Sequence, residues 1–215
     1  MPTRVGVISD THCPEFLDRL PERVFEVFDG VDLIFHAGDI DGEETLADLR
    51  RIAPVEAVRG DHDSSLDELP VSRELVIGGK RIVVVHGNRS RWLEEPNTLA
   101  WTLSLGYFQP HRGLAHALRR RFPNADAIVY GHTHRAHAET IDGVLLFNPG
   151  GVHQWNPTTA AHRLNAWRSG PRPRRPGWFE WCWLQVARHL RQYQKPSVGI
   201  LEVSDSGLAP RVIEL

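Results

Sequence analysis

The chain has 215 residues, 41% hydrophobic and 24% charged, with 18 Gly and 15 Pro scattered rather than repeated and a formal net charge of −2. These figures exclude collagenous, coiled-coil and disordered classes and suit one soluble domain, with or without an appendage, whose core covers about 70% of the unfolded surface. No window reaches 18 consecutive apolar residues and no signal-peptide pattern follows Met1, so a cytoplasmic address without membrane association is expected.

Residues 4–8 run apolar into Ser9-Asp10, as a buried first strand ending in a polar loop does. Pro21 suits the first position of a helix carrying Val24, Phe25 and Phe28 on one face. A second strand, residues 32–36, ends in Ala37-Gly38-Asp39, and Asp41 with Glu44 reads as a capping box for a helix bearing Leu46, Leu49 and Ile52. A third strand near 55–58 ends in Arg59-Gly60-Asp61-His62-Asp63. This strand-helix alternation predicts a largely parallel sheet.

From residue 72 the rhythm changes. Glu74–Ile77, Gly78-Gly79 and Arg81–Val85 read as a hairpin, which implies a second sheet, at least partly antiparallel. A helix from about Pro110 to Phe122 precedes a strand, Ala127–Tyr130, that leads into Gly131-His132-Thr133-His134. A hairpin turning at Asp142-Gly143 ends in Phe147-Asn148-Pro149-Gly150-Gly151, and strands resume near Val198–Val203 and Arg211–Ile213. The intervening segment, residues 152–196, holds eight Arg and Lys against one acid, Glu180, a local +7 that leaves −9 for the remainder. It also carries Trp155, Trp167, Trp178, Trp181 and Trp183. Cys13 and Cys182 are too few for a disulfide framework and are read as free thiols.

The polar residues just past the predicted strand ends are Asp10 and His12, Asp39, Asp61 and His62, His86, His132 and His134. Nearly all are metal-ligating types, and strand ends of an α/β sheet open onto one crevice. Carboxylate and imidazole donors suit Mn²⁺, Fe²⁺ or Zn²⁺. Two such ions about 3.5–4 Å apart can share a carboxylate, activate a bridging hydroxide and stabilise phosphoryl oxygens.

Asp10-Thr11-His12, Gly38-Asp39, Gly60-Asp61-His62-Asp63, His86-Gly87 and Gly131-His132-Thr133-His134 resemble, in order, the five blocks of the calcineurin-like metallophosphoesterases. The resemblance is nearest to the small bacterial and archaeal phosphodiesterase branch, which shares its fold with a retromer subunit. It implies an α/β fold, a four-layer α/β/β/α sandwich of two mixed sheets forming a single domain over 1–215, with the basic segment at 152–196 as an insertion. It also implies that Asp10, His12 and His134 hold one ion, that Asp39 bridges, and that Asp61, His86 and His132 hold the other. Mn²⁺ is expected first, with Ni²⁺, Fe²⁺ or Zn²⁺ as alternatives. His62 falls where relatives place the histidine that contacts phosphate and protonates the leaving oxygen, and Asp63 is the candidate to orient its ring. The activity implied is hydrolysis of a phosphate ester, a diester before a monoester, by direct attack without a covalent enzyme intermediate.

Two positions depart from the family. Asp61 stands where Asn is usual, adding an anion that tightens the second ion, weakens its Lewis acidity and repels an anionic substrate. Gly151 replaces a Ser of the branch, removing a hydroxyl. His36, His111, His116, His137 and His153 match no block and are read as surface or core residues, with His153 and His111 the candidates to line a substrate cleft. The stretch 88–109, with Arg89, Arg91, Trp92 and Trp101, is read as part of the substrate pocket or as a packing loop.

Two rival readings remain open. One is a non-catalytic or weakly active scaffold for protein interaction. The other is a nuclease or nucleic-acid-processing enzyme whose basic insertion grips the strand through stacking and phosphate contacts. The insertion is equally read as a small core of its own, a guard of the site mouth or a homodimer interface.

Overall fold

The computed structural model describes residues 2–87, 100, 103–105, 107, 113–169 and 178–215; for 166–169, 179 and 180 it describes the backbone alone. In chain order the elements are β1 (Thr3–Ile8), α1 (Glu22–Phe28), β2 (Leu33–His36), α2 (Glu43–Arg50), β3 (Val55–Ala57), β4 (Ser72–Ile77) and β5 (Lys80–Val85). After these come α3 (Leu114–Arg121), β6 (Ala127–Tyr130), β7 (His137–Ile141), β8 (Val144–Asn148), α4 (Pro157–Ser169), α5 (Trp178–Ala187), β9 (Ser197–Ser204) and β10 (Gly207–Glu214).

Ten strands form two five-stranded sheets, ordered β10-β9-β1-β2-β3 and β4-β5-β6-β8-β7. In the first, β1, β2 and β3 run parallel while β9 and β10 return antiparallel. In the second, β5, β6 and β8 run parallel, with β4 and β7 antiparallel at the edges. Both sheets are therefore mixed: the parallel strands of the second occupy its centre, whereas those of the first run from its central strand β1 to its edge strand β3.

Period-2 alternation sorts the side chains between layers. Val5, Val7, Phe35, Val84, Val129, Phe147 and Leu201 share the core between the sheets. Their neighbours Ile8, Ile34 and Ile200 turn outward onto Val24, Val27 and Phe28 of α1 and Leu49 of α2. On the other sheet Val83, Val85, Ile128 and Leu146 pack beneath Leu114 and Leu118 of α3. Helix, sheet, sheet and helix thus stack as four layers, as the expected sandwich requires.

Two helix starts differ from expectation. Pro21 sits one residue before α1, in an extended conformation (ψ 139°), with its carbonyl accepting the Val24 N–H at 2.9 Å. Gly42, not Asp41, precedes α2, and among the described residues no side chain caps that helix. The expected capping box does not form, because the Asp41 carboxylate is turned toward His12, 3.4 Å away.

The chain divides into two compact units, one comprising Met1–Asn88, Gly113–His153 and Lys195–Leu215, the other Arg89–Arg112 and Gln154–Gln194. The sheets belong to the first. The second has a small core of its own, in which Ala160 and Leu164 of α4 meet Leu184 and Ala187 of α5, and Trp155 packs edge-on against Trp183 at 4.3 Å. Trp178 and Trp181 are exposed. The side chain of Trp167, the run 171–177, His111 and the Arg and Trp residues singled out in 88–109 lie outside the described residues. Among the described residues no helix is long and apolar enough to cross a membrane.

Candidate metal centre

Because β1, β2, β3, β5 and β6 all point the same way within their sheets, the loops that follow them meet at one edge. Five of the expected ligands sit there in left-handed backbone geometry: Asp10 (φ 51°), His12 (48°), Asp39 (56°), His132 (66°) and His134 (52°). Each such residue costs of order 1–3 kcal/mol, a strain that clusters at functional sites. Cross-loop hydrogen bonds hold the geometry. The amides of Asp10, Thr11 and His12 donate to the Gly38 and Asp39 carbonyls at 2.9–3.1 Å, and the His132 amide donates to Asp10 Oδ1 at 3.1 Å. Asn148, the last residue of β8 and the first of the Asn-Pro-Gly motif, donates to the Gly131 carbonyl at 2.8 Å and so ties down the loop bearing both histidines. Gly60 is required by close approach, since a Cβ there would stand 2.2 Å from Asp39 Oδ1.

The expected ligands gather as two groups. Donor atoms of Asp10, His12 and His134 lie within 4.8 Å of one another, as do those of Asp61, His86 and His132, while Asp39 groups with His12 on one side and His86 on the other. One oxygen of Asp39, Oδ1, accepts the His62 amide at 3.0 Å. The other, Oδ2, stands 3.5 Å from His12 Nε2 and 3.4 Å from His86 Nε2. Backbone carbonyls select the ring tautomers. His86 Nδ1 lies 2.8 Å from the Ala37 carbonyl and His134 Nδ1 2.8 Å from that of His153. Each Nδ1 is therefore a donor, and each Nε2 faces carboxylates, with His134 Nε2 3.5 Å from Asp10 Oδ1. His132 instead presents Nδ1, 3.3 Å from Asp61 Oδ2.

The electrostatics call for positive charge. Burial alone would lower the pKa of His86, but the Asp39 and Asp10 carboxylates outweigh it and hold it up to about 10. Burial likewise opposes protonation of His12, yet Asp41, Asp39 and Asp10 raise it. Asp39, which burial would raise, is pressed well below the usual carboxylate range by His86 and His12. Burial lowers His134. Among the described residues His86 Nε2 is buried without a hydrogen-bond partner, although Asp39 and Asp61 face it at 3.4 and 3.9 Å. Such a donor set fits divalent cations of the Mn²⁺, Fe²⁺ or Zn²⁺ kind.

Asp63 does not reach the His62 ring. Its fully buried carboxylate accepts the amides of Asp39, Ile40, Asp41 and Gly60 at 2.7–2.9 Å, which uses both oxygens. What it orients is the Asp39 loop. His62 Nδ1 faces Glu15 Oε2 at 3.4 Å instead, and its ring meets His12 edge-on at 4.8 Å. Sequence reasoning missed Glu15 and Asp41 altogether as site residues, and the spacing Asp39-x-Asp41 was the available signal. His153, matched by no block, is buried here and stacks on Phe16 at 5.0 Å. His36 is fully buried, its Nε2 3.1 Å from Thr11 Oγ1, and burial lowers it to about 4. His116 and His137 are exposed.

The family model of the calcineurin-like phosphoesterase superfamily domain matches residues 3–165. A probable metallophosphoesterase of Methanothermobacter thermautotrophicus is 35% identical over 147 residues, covering 68% of this chain and 75% of that protein. A phosphodiesterase of Methanocaldococcus jannaschii is 24% identical over 165 residues, covering 68% and 82% respectively. Vps29 of Entamoeba histolytica, in a crystal structure complexed with zinc, matches 98% of each chain with a TM-score of 0.61 at 20% identity, a likeness of fold.

Proposed function

The chain belongs to the calcineurin-like phosphoesterase superfamily, and from that premise we propose that it hydrolyses phosphate esters, diesters in preference to monoesters, with two divalent cations, Mn²⁺ foremost. Asp10, His12 and His134 would hold one cation, Asp61, His86 and His132 the other, and Asp39 would serve both. The observation that carries this is the placement of Asp39 Oδ2 within 3.5 Å of one histidine from each group, while its other oxygen is occupied by a backbone amide. A carboxylate so divided is suited to join two cations.

The cations would supply Lewis acidity and an activated water for direct attack on phosphorus. The chain's own residues do the rest. Carbonyls of Ala37 and His153 fix ring tautomers, Asp63 fixes the Asp39 loop, and His62, on the loop beside both groups, contacts the phosphate and protonates the leaving oxygen. The phosphodiesterase of M. jannaschii supports the diester preference.

The test is elemental analysis paired with hydrolysis of a chromogenic diester and its monoester counterpart, after chelation and re-addition of Mn²⁺, Ni²⁺, Fe²⁺ or Zn²⁺. Near two metals per chain and metal-restored turnover, faster on the diester, are expected. Two metals with no turnover on either ester would favour the scaffold reading, and no metal after reconstitution would overturn the centre itself.

A further inference from the structure

We propose that Asp41 is a positioning residue for His12, holding Nδ1–H of that ring so that Nε2 is presented to the cation beside Asp10 and His134. The inference rests on the reading that those residues hold a cation. Asp39 and Asp41, two residues apart on one loop, bracket the His12 ring: Asp39 Oδ2 stands 3.5 Å from Nε2 and Asp41 Oδ2 stands 3.4 Å from Nδ1. Both side chains of the His12–Asp41 pair are buried, 3% and 7% exposed.

Neither Asp41 oxygen nor His12 Nδ1 has a hydrogen-bond partner among the described residues. A buried carboxylate without one is costly, and closing the gap by about 0.5 Å makes a normal charge-assisted bond. The backbone is built to aim the carboxylate there. Asp41 is in left-handed geometry at φ 75°, with its amide fixed to Asp63 Oδ1 at 2.8 Å and its carbonyl accepting the Ser65 hydroxyl at 3.1 Å. His86 and His134 have backbone carbonyls as their Nδ1 acceptors, so His12 alone of the three is given a full negative charge. A carboxylate behind an imidazole fixes its tautomer and raises its basicity toward a cation.

The experiment measures Mn²⁺ stoichiometry and stepwise affinity by competition with a chelator for the full chain and for Asp41→Ala, Asp41→Asn, His12→Gln and the His12→Gln/Asp41→Ala pair. Asp41→Ala should weaken one cation by about 10- to 100-fold and leave the other within about threefold. Asp41→Asn keeps an acceptor oxygen in the same volume and should lose less. In the His12→Gln background, Asp41→Ala should add nothing, because the ring it acts through is gone. Equal weakening of both cations, or losses that simply add, would overturn the proposal in favour of a loop-wide structural role. A third Mn²⁺ equivalent that Asp41→Asn removes while the first two keep their affinity would overturn it too, assigning the carboxylate to a site with Glu15 and His62. If His12→Gln leaves metal uptake unchanged, the metal-centre reading fails, and Asp41's role falls with it.

Discussion

Glu15 Oε2 stands 3.4 Å from His62 Nδ1, with both side chains close to half exposed. The His62 backbone is fixed by its amide bond to Asp39 Oδ1, and its ring lies within metal-ligating distance of His12 and Asp39 on one side and of Glu15 and Asp41 on the other. The proposed role of His62 toward substrate is tested by its removal. His62→Ala should lower turnover by about 100- to 10,000-fold with metal content unchanged. Glu15→Gln, which keeps an acceptor for Nδ1–H, should cost less than about tenfold. Wild-type activity in His62→Ala at equal metal loading would remove the assigned role.

Asp63 offers a prediction about stability. Its carboxylate is the shared acceptor of four amides in two loops, and deleting it leaves those donors buried. Asp63→Ala should destabilise the fold by about 3–5 kcal/mol, or roughly 10–15 °C in melting temperature for a chain of this size. Metal retention should fall as well, because Asp39 and Asp41 lose their anchor. A melting temperature within 2–3 °C of wild type, in round figures, would show that solvent or a neighbour replaces the carboxylate.

Much of this arrangement was legible because strand ends carry the chemistry. The apolar runs ending at Ile8, His36, Val85 and Tyr130 mark buried parallel strands, and the charged residues after them can only lie at one edge. What could not be read was the direction of side chains within loops. Asp63 follows His62 and reads as its partner, but the chain turns so that Asp63 points back at the Gly60 amide of its own loop and at amides of the loop after the neighbouring strand β2. Asp41 reads as a helix cap until its φ of 75° sends the carboxylate to His12. Helix α4 was missed although Asn156-Pro157 announces it: Asn156 Oδ1 accepts the Thr158 and Thr159 amides at 2.9 Å, and Pro157 occupies the first helical position. The surrounding Arg and Trp residues drew attention to charge and stacking instead.

Metal uptake should release protons. His86 is held up to about 10, so in metal-free protein at pH 7 it carries a proton that a cation at Nε2 must displace, and His12 is also raised. The sign is therefore fixed: apparent affinity should rise with pH, about tenfold per unit for each proton displaced, up to about pH 10. Calorimetric titration at pH 7.5 in buffers of different ionisation enthalpy reads the count directly. About one proton or more per chain is expected, whereas buffer-independent heats would mean that these rings are neutral before the metal arrives.

Asp61→Asn, which restores the residue usual in the family, should exchange metal affinity for turnover. Asp61 is 43% exposed, so its repulsion of an anionic ester amounts to about 1–2 kcal/mol after screening. Removing that charge should raise kcat/KM by about tenfold and loosen the cation held with His86 and His132. Steady-state kinetics at saturating Mn²⁺, with retained metal measured in parallel, separates the two effects. A variant that loses activity at full metal occupancy would assign Asp61 a role in the reaction that a neutral amide does not fill.

From the sequence Gly151 only removes a hydroxyl, but the structure gives the position a steric role. A Cβ at 151 would come within 2.8 Å of His134 Nδ1 and 2.9 Å of the His153 carbonyl, the donor and acceptor of one 2.8 Å hydrogen bond. A Cβ there forces at least one of these neighbours to shift, which strains the contact that turns His134 Nε2 toward Asp10. Gly151→Ser, although it restores the branch's residue, should weaken the cation at Asp10, His12 and His134 by about tenfold and destabilise the fold by about 1–3 kcal/mol. Thermal unfolding and competition with a chelator measure the two losses. Unchanged values in both would mean that the backbone at 150–153 yields to a Cβ and that the His134–His153 bond does not set the ring's orientation.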